Sequence, residues 1–197
     1  MVIVMKKLLI TGFEPFGGEE INPSWEAVLR LPDQINEYQL TKIKLPVLFS
    51  DAANRVISVA NDIGADVIIC VGQAGGRSEI TPEFVGINLR FAQISDNNGY
   101  KPVDEPIKDC GKEAYFSTLP VRKMADAIKE VGIPSKVSYS AGAYVCNDVL
   151  YTSLAHFENT KVRVGFIHVP YCTEQGKEPS MTIENIAKGL RTAIESI

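Results

Sequence analysis

Two nearly continuous apolar runs, at residues 66–72 and 162–169, most constrain what this chain can fold into. Neither run alternates between apolar and polar residues, so a strand built from it has no face suited to water. Strands of this kind occur in parallel sheets that are covered by helices on both sides. The runs therefore indicate a buried and mostly parallel sheet.

Strand-like and helix-like segments alternate along the chain. The predicted strands cover residues 6–11, 39–47, 66–72, 85–89, 136–140 and 162–169. The predicted helices cover residues 23–29, 51–63, 120–131, 145–157 and 180–197, and residues 96–106 are predicted to form a polar loop. This order predicts one α/β domain over residues 1–197, a three-layer α/β/α sandwich around a mostly parallel twisted sheet.

Charge and cysteine usage narrow the class of protein. The formal net charge is −4 and no cluster of Lys or Arg is present, which argues against nucleic-acid and anionic-membrane partners. The apolar N-terminus carries its lysines in the middle of the apolar stretch, unlike a secretory signal. Four scattered cysteines without a CxxC pair favour reduced thiols in the cytoplasm and give no spacing for a metal.

Cys146 follows a turn of small residues, 140–143, and stands at the start of the predicted helix 145–157. A thiol near a helix N-terminus lies at the positive end of the peptide dipoles, which favours the thiolate. The chain has only two histidines, His156 and His168, so few bases are available to a cysteine nucleophile. Spacing alone leaves two interpretations open for Cys146 and His168, a catalytic pair or two structural residues.

A structural role accounts for one of the two histidines better than for the other. His156 lies near the end of a predicted helix, where a partly charged imidazole complements the helix dipole. His168 interrupts an apolar strand at its outer end, just before Pro170. His168 is therefore the better candidate for the base.

Several segments follow the carboxyl ends of predicted strands, where sites gather in open α/β sheets. They are residues 12–18, 72–77, 140–146 and His168, and together they could form one pocket. Each has a structural alternative, because Phe13 and Phe16 fit a core and residues 81–83 also fit a helix start. The glycine-rich segment 12–18 fits neither GxGxxG nor the Walker pattern, so it gives only weak support to a nucleotide site.

Three motifs stand out when these segments are read together. The first is Gly-Phe-Glu-Pro-Phe-Gly at residues 12–17, followed by Asn-Pro-Ser at 22–24. The second is Gly-Gln-Ala-Gly-Gly-Arg at 72–77, leading to Ile-Thr-Pro-Glu at 80–83 and to Asn88. The third covers residues 137–147 and continues with Phe-Ile-His-Val-Pro at 166–170. With these motifs the chain resembles, over nearly its whole length, the pyroglutamyl peptidase I (pyrrolidone-carboxylate peptidase) family of cysteine peptidases.

The resemblance implies a hydrolase that removes an N-terminal pyroglutamyl residue from peptides, without a cofactor or metal. It implies a triad of Cys146 as nucleophile, His168 as base and Glu83 as the group that orients the imidazole. It also implies a homotetramer in the cytoplasm. The substrate-binding residues that it implies are Phe13, Phe16, Asn22, Gln73 and Tyr144.

The chain departs from the family pattern in one short region. Phe84 and Phe91 replace usual family residues, and Gln93 stands where the family has an arginine that is thought to help the oxyanion site. Gln93 is a possible oxyanion contributor, but a neutral donor makes a weaker hydrogen bond than a charged one. Arg90 could substitute only if it shares a face with Gln93, and odd offsets oppose this in a strand. The departures leave an alternative open, a protein of the same fold with impaired or altered catalysis that binds a pyroglutamyl-like ligand.

Overall fold

The computed structural model describes residues 4–197, which hold ten strands and five α-helices. The strands are β1 (Lys6–Phe13), β2 (Gln34–Ile35), β3 (Tyr38–Leu45), β4 (Val67–Gln73), β5 (Thr81–Pro82), β6 (Val85–Ile87), β7 (Ala114–Phe116), β8 (Arg163–Val169), β9 (Tyr171–Cys172) and β10 (Ser180–Met181). The helices are α1 (Pro23–Leu29), α2 (Asp51–Ile63), α3 (Val121–Glu130), α4 (Val145–His156) and α5 (Ile183–Glu195), and a 3-10 turn covers Thr173–Gln175.

A six-stranded sheet in the order β2-β3-β1-β4-β8-β5 forms the centre of the molecule. The four central strands, β3, β1, β4 and β8, run parallel, and the short outer strands β2 and β5 are antiparallel to their neighbours. The predicted mostly parallel sheet is therefore confirmed. Its carboxyl edge brings together the ends of β1, β4 and β8, where the site described below is found.

The sheet is covered on both faces, and the apolar runs supply both cores. Helices α1, α3 and α5 pack on one face and α2 and α4 on the other. In β1, Leu8 and Ile10 belong to the first core and Leu9 to the second, because successive side chains of a strand point to opposite faces. The predicted three-layer α/β/α sandwich is confirmed.

Residues 136–140 do not form the predicted strand. The segment is hydrogen-bonded in parallel to residues 80–84, but only isolated bridges join them, at Ile80–Ser135 and Glu83–Ser138. The ladder is interrupted at Pro82, which has no N–H to donate to the carbonyl of Lys136. Pro82 itself lies in β5 against β8, so the helix start considered for residues 81–83 is wrong.

The start of the last helix also differs from its prediction. The last helix begins at Ile183 rather than at residue 180, because the Thr182 side chain accepts a hydrogen bond from the Asn185 N–H as its N-cap. The two residues before Thr182 form β10. Helix α2 has its predicted bounds, and Ser50 before it has φ of 63° and a hydroxyl that does not cap the helix.

Candidate active site

Cys146 is the second residue of α4, at the carboxyl edge of the sheet. The Asn147 side chain holds this end of the helix, because its amide donates to the carbonyls of Ile87 and Leu89 and accepts from the Ile87 N–H. The main-chain N–H of Cys146 lies in the first turn, where an α-helix offers no acceptor of its own. The sulfur and a free N–H donor are thus presented together.

A buried ion pair holds the next residue of the helix. The carboxylate of Asp148 accepts from Nε of Arg90 at 2.6 Å and from the N–H of Ser50 at 2.8 Å. Arg90 also donates to the Ser50 hydroxyl at 2.9 Å. The start of α4 is therefore tied to the start of α2, and Asn147 and Asp148 leave Cys146 little freedom to move.

His168 and Glu83 form a buried pair beside this helix. His168 is 3% exposed and Glu83 is fully buried, and Nδ1 of His168 lies 2.7 Å from Oε1 of Glu83. The pairing follows from β5, which lies antiparallel to β8 with Thr81 opposite His168. A carboxylate on Nδ1 leaves Nε2 of the imidazole as the nitrogen available to a substrate or nucleophile.

Gly72 connects this pair to the cysteine. In the register of β4 and β8, Gly72 lies directly opposite His168, on the adjacent strand. A Cβ atom built on Gly72 would lie 2.8 Å from Sγ of Cys146, so the sulfur occupies the space that a side chain would otherwise fill. Paired residues of neighbouring strands are about 5 Å apart, so the sulfur lies against the residue that is paired with His168. Among the described residues no hydrogen bond joins the two groups.

Arg77 completes the polar cluster. Its guanidinium donates to Oε1 of Glu83 at 2.6 Å, to the hydroxyl of Thr81 at 2.5 Å and to the carbonyl of Ser140 at 3.1 Å. The sequence indicated no role for this residue, although Arg77 ends the second motif and lies six positions before Glu83. The remaining oxygen of Glu83, Oε2, is buried without a hydrogen-bond partner.

Burial sets the protonation state of the thiol. Enclosure of the sulfur, and then the negative charge of Glu83, raise the pKa of Cys146 to about 12, although Arg77 lowers it. Burial of the sulfur therefore opposes the helix N-terminus, which favours the thiolate. For Glu83, burial raises the pKa, but the hydrogen bond to His168 and the charges of His168 and Arg77 outweigh it and lower the pKa below its ordinary value.

A small, mainly apolar cavity opens next to Cys146. The cavity is narrow, with a volume of about 30 Å³. The rings of Phe16 and Tyr144 lie 6.2 Å apart, and the Tyr144 hydroxyl donates to the carbonyl of Ser95. The lining residues are Phe13, Phe16, Asn22, Val47, Gln73, Tyr144, Val145 and Cys146.

Two amide side chains supply the polar part of this cavity. The carbonyl oxygen of Asn22 accepts from the N–H and hydroxyl of Ser24, and its NH₂ donates to the carbonyl of Glu14, which leaves one N–H. The carbonyl oxygen of Gln73 accepts from the side chain of Gln175 at 3.0 Å, so the Gln73 NH₂ group is free to face a ligand. The cavity therefore offers hydrogen-bond donors between apolar walls.

Other predicted candidates lie away from the cavity. Gln93 is exposed, does not line the cavity and has no side-chain hydrogen bond among residues 4–197. Arg90 is engaged by Asp148. His156 is at the far end of α4, about 15 Å from Cys146 at the rise of an α-helix. Cys70 is buried in β4, and burial raises the pKa of its thiol to about 12.

The described residues were also compared with the requirements of a metal site and of a membrane span. Within residues 4–197 no group of three or more His, Cys, Asp or Glu side chains is placed to hold a metal ion. In the same range, every helix is too short or too polar to cross a membrane.

Comparison with protein families gives one match over almost the whole chain. The family model described as pyroglutamyl peptidase matches residues 6–197. The pyrrolidone-carboxylate peptidase of Staphylococcus saprophyticus is 46% identical over 198 residues, covering 97% of this chain and 92% of that protein. The enzyme of that name from Thermococcus kodakarensis is also 46% identical, covering 97% of this chain and 95% of that protein.

Solved structures of the same family resemble this chain over almost its whole length. The crystal structure of Bacillus amyloliquefaciens pyroglutamyl peptidase I superposes with a TM-score of 0.92 at 42% identity, covering 97% of this chain and 96% of that one. Pyrrolidone carboxyl peptidase from Thermococcus litoralis gives a TM-score of 0.92 at 38% identity, covering 98% of this chain and 93% of that one.

Proposed function

The chain belongs to the pyroglutamyl peptidase family, and we propose that it is a cysteine peptidase that removes N-terminal pyroglutamate from peptides and proteins. The observation that carries this proposal is the position of the apolar cavity. It ends at Cys146, and His168, which pairs with Glu83, lies on the strand next to Gly72. When the pyroglutamyl ring occupies the cavity, the carbonyl carbon of the scissile amide bond lies near the sulfur.

The chemistry begins from a neutral thiol, because the pKa of Cys146 is far above neutrality. Nε2 of His168 accepts the thiol proton as Sγ bonds to the carbonyl carbon of the substrate. The resulting imidazolium is stabilised by Glu83 on Nδ1 and then gives its proton to the departing amine. A thioester remains on Cys146, and water activated by His168 hydrolyses it to pyroglutamate and the free thiol. These steps require protein groups and water alone.

Ring recognition follows from the walls and donors of the cavity. Pyroglutamate has no charged amine, so its flat lactam is suited to the aromatic side chains of Phe13, Phe16 and Tyr144 and needs no acidic partner. The free NH₂ of Gln73 and the remaining N–H of Asn22 are suited to the lactam carbonyl. A proline ring lacks that carbonyl and leaves the donors unpaired, which costs about 1–3 kcal/mol for each group.

The main-chain N–H of Cys146 is the donor best placed for the developing oxyanion, since it lies in the first turn of α4 beside the sulfur. We propose no direct contact for Gln93, which is exposed outside the cavity. Binding of a pyroglutamyl ligand with impaired catalysis is the second candidate function. The neutral residue at position 93 favours it, because an arginine there could add a charged donor.

Hydrolysis of matched amides tests the proposal. The reduced protein is expected to release a chromogenic amine from its pyroglutamyl amide and to discriminate against the prolyl amide by about 10⁴-fold. Cys146→Ser should lower kcat by at least about 10³-fold, and Cys110→Ser, an exposed thiol, should not. Absence of release by the wild-type protein contradicts the proposal. If the protein still binds pyroglutamate and Gln93→Arg restores turnover, the second candidate is supported instead.

We also propose that the protein is a homotetramer in the cytoplasm. The tetramer is implied by the family resemblance. The net charge of −4 favours neither nucleic acid nor an anionic membrane as a partner. Sedimentation equilibrium of the full chain should give four times the monomer mass, and a single-chain mass contradicts the tetramer.

A further inference from the structure

We propose that Arg77 is a positioning residue for the triad, holding Glu83 in place beside His168. The inference rests on the proposed function, because it assigns His168 and Glu83 the roles given above. Arg77 and His168 share a single oxygen, Oε1 of Glu83, at 2.6 Å and 2.7 Å. The other oxygen of Glu83 meets no hydrogen-bond geometry among residues 4–197, although the nearby Ser138 side chain also lowers the pKa of the carboxylate. Arg77 and His168 therefore make the two short contacts of Glu83.

The same guanidinium connects the carboxylate to the nucleophile loop, residues 140–144. Nη1 bonds Glu83 and the Thr81 hydroxyl, and Nη2 bonds the carbonyl of Ser140. The planar guanidinium of arginine can donate to Glu83 and to the Ser140 carbonyl at the same time. A lysine ammonium is a single point charge and cannot bond both. Displacing Arg77 therefore disturbs both the orienting carboxylate and the approach to Cys146.

Charge gives Arg77 a second effect. An unpaired Glu83 carboxylate would strongly stabilise the imidazolium form of His168, and a protonated imidazole cannot act as a base. The Arg77 cation offsets this attraction and also favours the thiolate of Cys146. The charged or titratable groups around the pair are Arg77 and Cys146, with Cys70 behind the sulfur, and Lys136 is paired with Glu79 on the neighbouring surface.

The pH profile of kcat/KM distinguishes this role from a merely structural one. In Arg77→Met the acidic limb should move to higher pH by about half a unit or more, since the imidazolium gains stability. Its kcat should fall about 10–100-fold. In Arg77→Lys the charge remains, so the limb should stay within about 0.2 units of wild type while kcat still falls. Lys136→Met is the matched control, because it removes a nearby cation that is paired with Glu79, and it should change neither quantity.

An unshifted acidic limb in a folded Arg77→Met protein overturns the proposal. If that variant does not fold, Arg77→Lys with wild-type kcat overturns it, and Arg77→Lys with lowered kcat and an unshifted limb supports it. If the wild-type protein hydrolyses no pyroglutamyl amide, the proposed function fails, and alkylation of Cys146 by iodoacetamide still tests Arg77. Alkylation at pH 8 should then be slower in Arg77→Met than in Lys136→Met, and equal rates overturn the inference.

Discussion

At the scale of single residues, Gly72 sets the position of the nucleophile. Its absent side chain leaves the space that the sulfur of Cys146 occupies, and an added Cβ would also lie 2.8 Å from the ring of Phe166. The glycine is required here by close approach rather than by an unusual backbone angle. The position of the nucleophile thus depends on a residue that carries no chemistry.

Gly72→Ala should push the sulfur away from His168. We expect kcat/KM on a pyroglutamyl amide to fall about 10²-fold, since misplacing a reacting group by about 1 Å has an effect of this size. Gly165→Ala is the matched control in the same sheet, because its Cβ would lie 2.5 Å from Leu119 and not near Cys146. If both variants lose activity equally, or neither does, the steric account of Gly72 is wrong.

The protonation state of Cys146 is also a property of one residue and its surroundings. Because burial raises the pKa of the thiol to about 12, the thiolate fraction of the free protein should grow about tenfold for each unit of pH between 7 and 10. The iodoacetamide reaction rate at Cys146 should follow it, measured by peptide mass spectrometry with exposed Cys110 as reference thiol. A plateau near pH 7 would instead show a preformed thiolate–imidazolium pair.

At the scale of elements, the start of α4 is fixed by side chains of the helix itself. The Asn147 side chain makes three hydrogen bonds to main-chain groups of Ile87 and Leu89, in β6 and just after it. These groups would otherwise need main-chain partners. Asp148 does the same toward α2. The helix therefore begins at a defined place although its N-cap, Tyr144, provides no side-chain cap.

Asn147→Ala should destabilise the protein by about 3 kcal/mol, because it leaves buried main-chain groups without partners. For a chain of this size the melting temperature should fall by roughly 6–12 °C. Asn88→Ala is the control, since Asn88 makes a similar pair of bonds to Lys108 near solvent, where water can replace them. A similar loss of stability in both variants contradicts the stabilising role of the buried Asn147 side chain.

Strands and helices with a strong apolar pattern could be predicted from the sequence. The loss of a strand where a proline in another segment removes one hydrogen bond could not. The strands predicted from the two apolar runs are found as β4 and β8, and the helix predicted at residues 23–29 is found as α1. The segment 136–140 has a strand pattern, yet its ladder fails at Pro82, a residue in another segment. Pairing partners of this kind are set by the tertiary structure and leave no local signal.

At the scale of the whole molecule, the parallel sheet gathers distant residues at one edge. Placing sites at the carboxyl ends of strands led from the sequence to the expectation that residues 12–18, 72–77, 140–146 and His168 could form one pocket. The triad roles and the ring pocket needed the family resemblance as well. The contacts of Arg77 could not be predicted, because its distances to Glu83 and Ser140 depend on how two loops pack.

The covalent intermediate tests the central claim most directly. The wild-type protein is mixed with an activated pyroglutamyl ester, quenched in acid within milliseconds to seconds, and mapped by peptide mass spectrometry. The account predicts one added pyroglutamyl group on the peptide that contains Cys146, lost in Cys146→Ser and absent when a prolyl ester is used. Turnover without any label on Cys146, or a label on another cysteine, contradicts it.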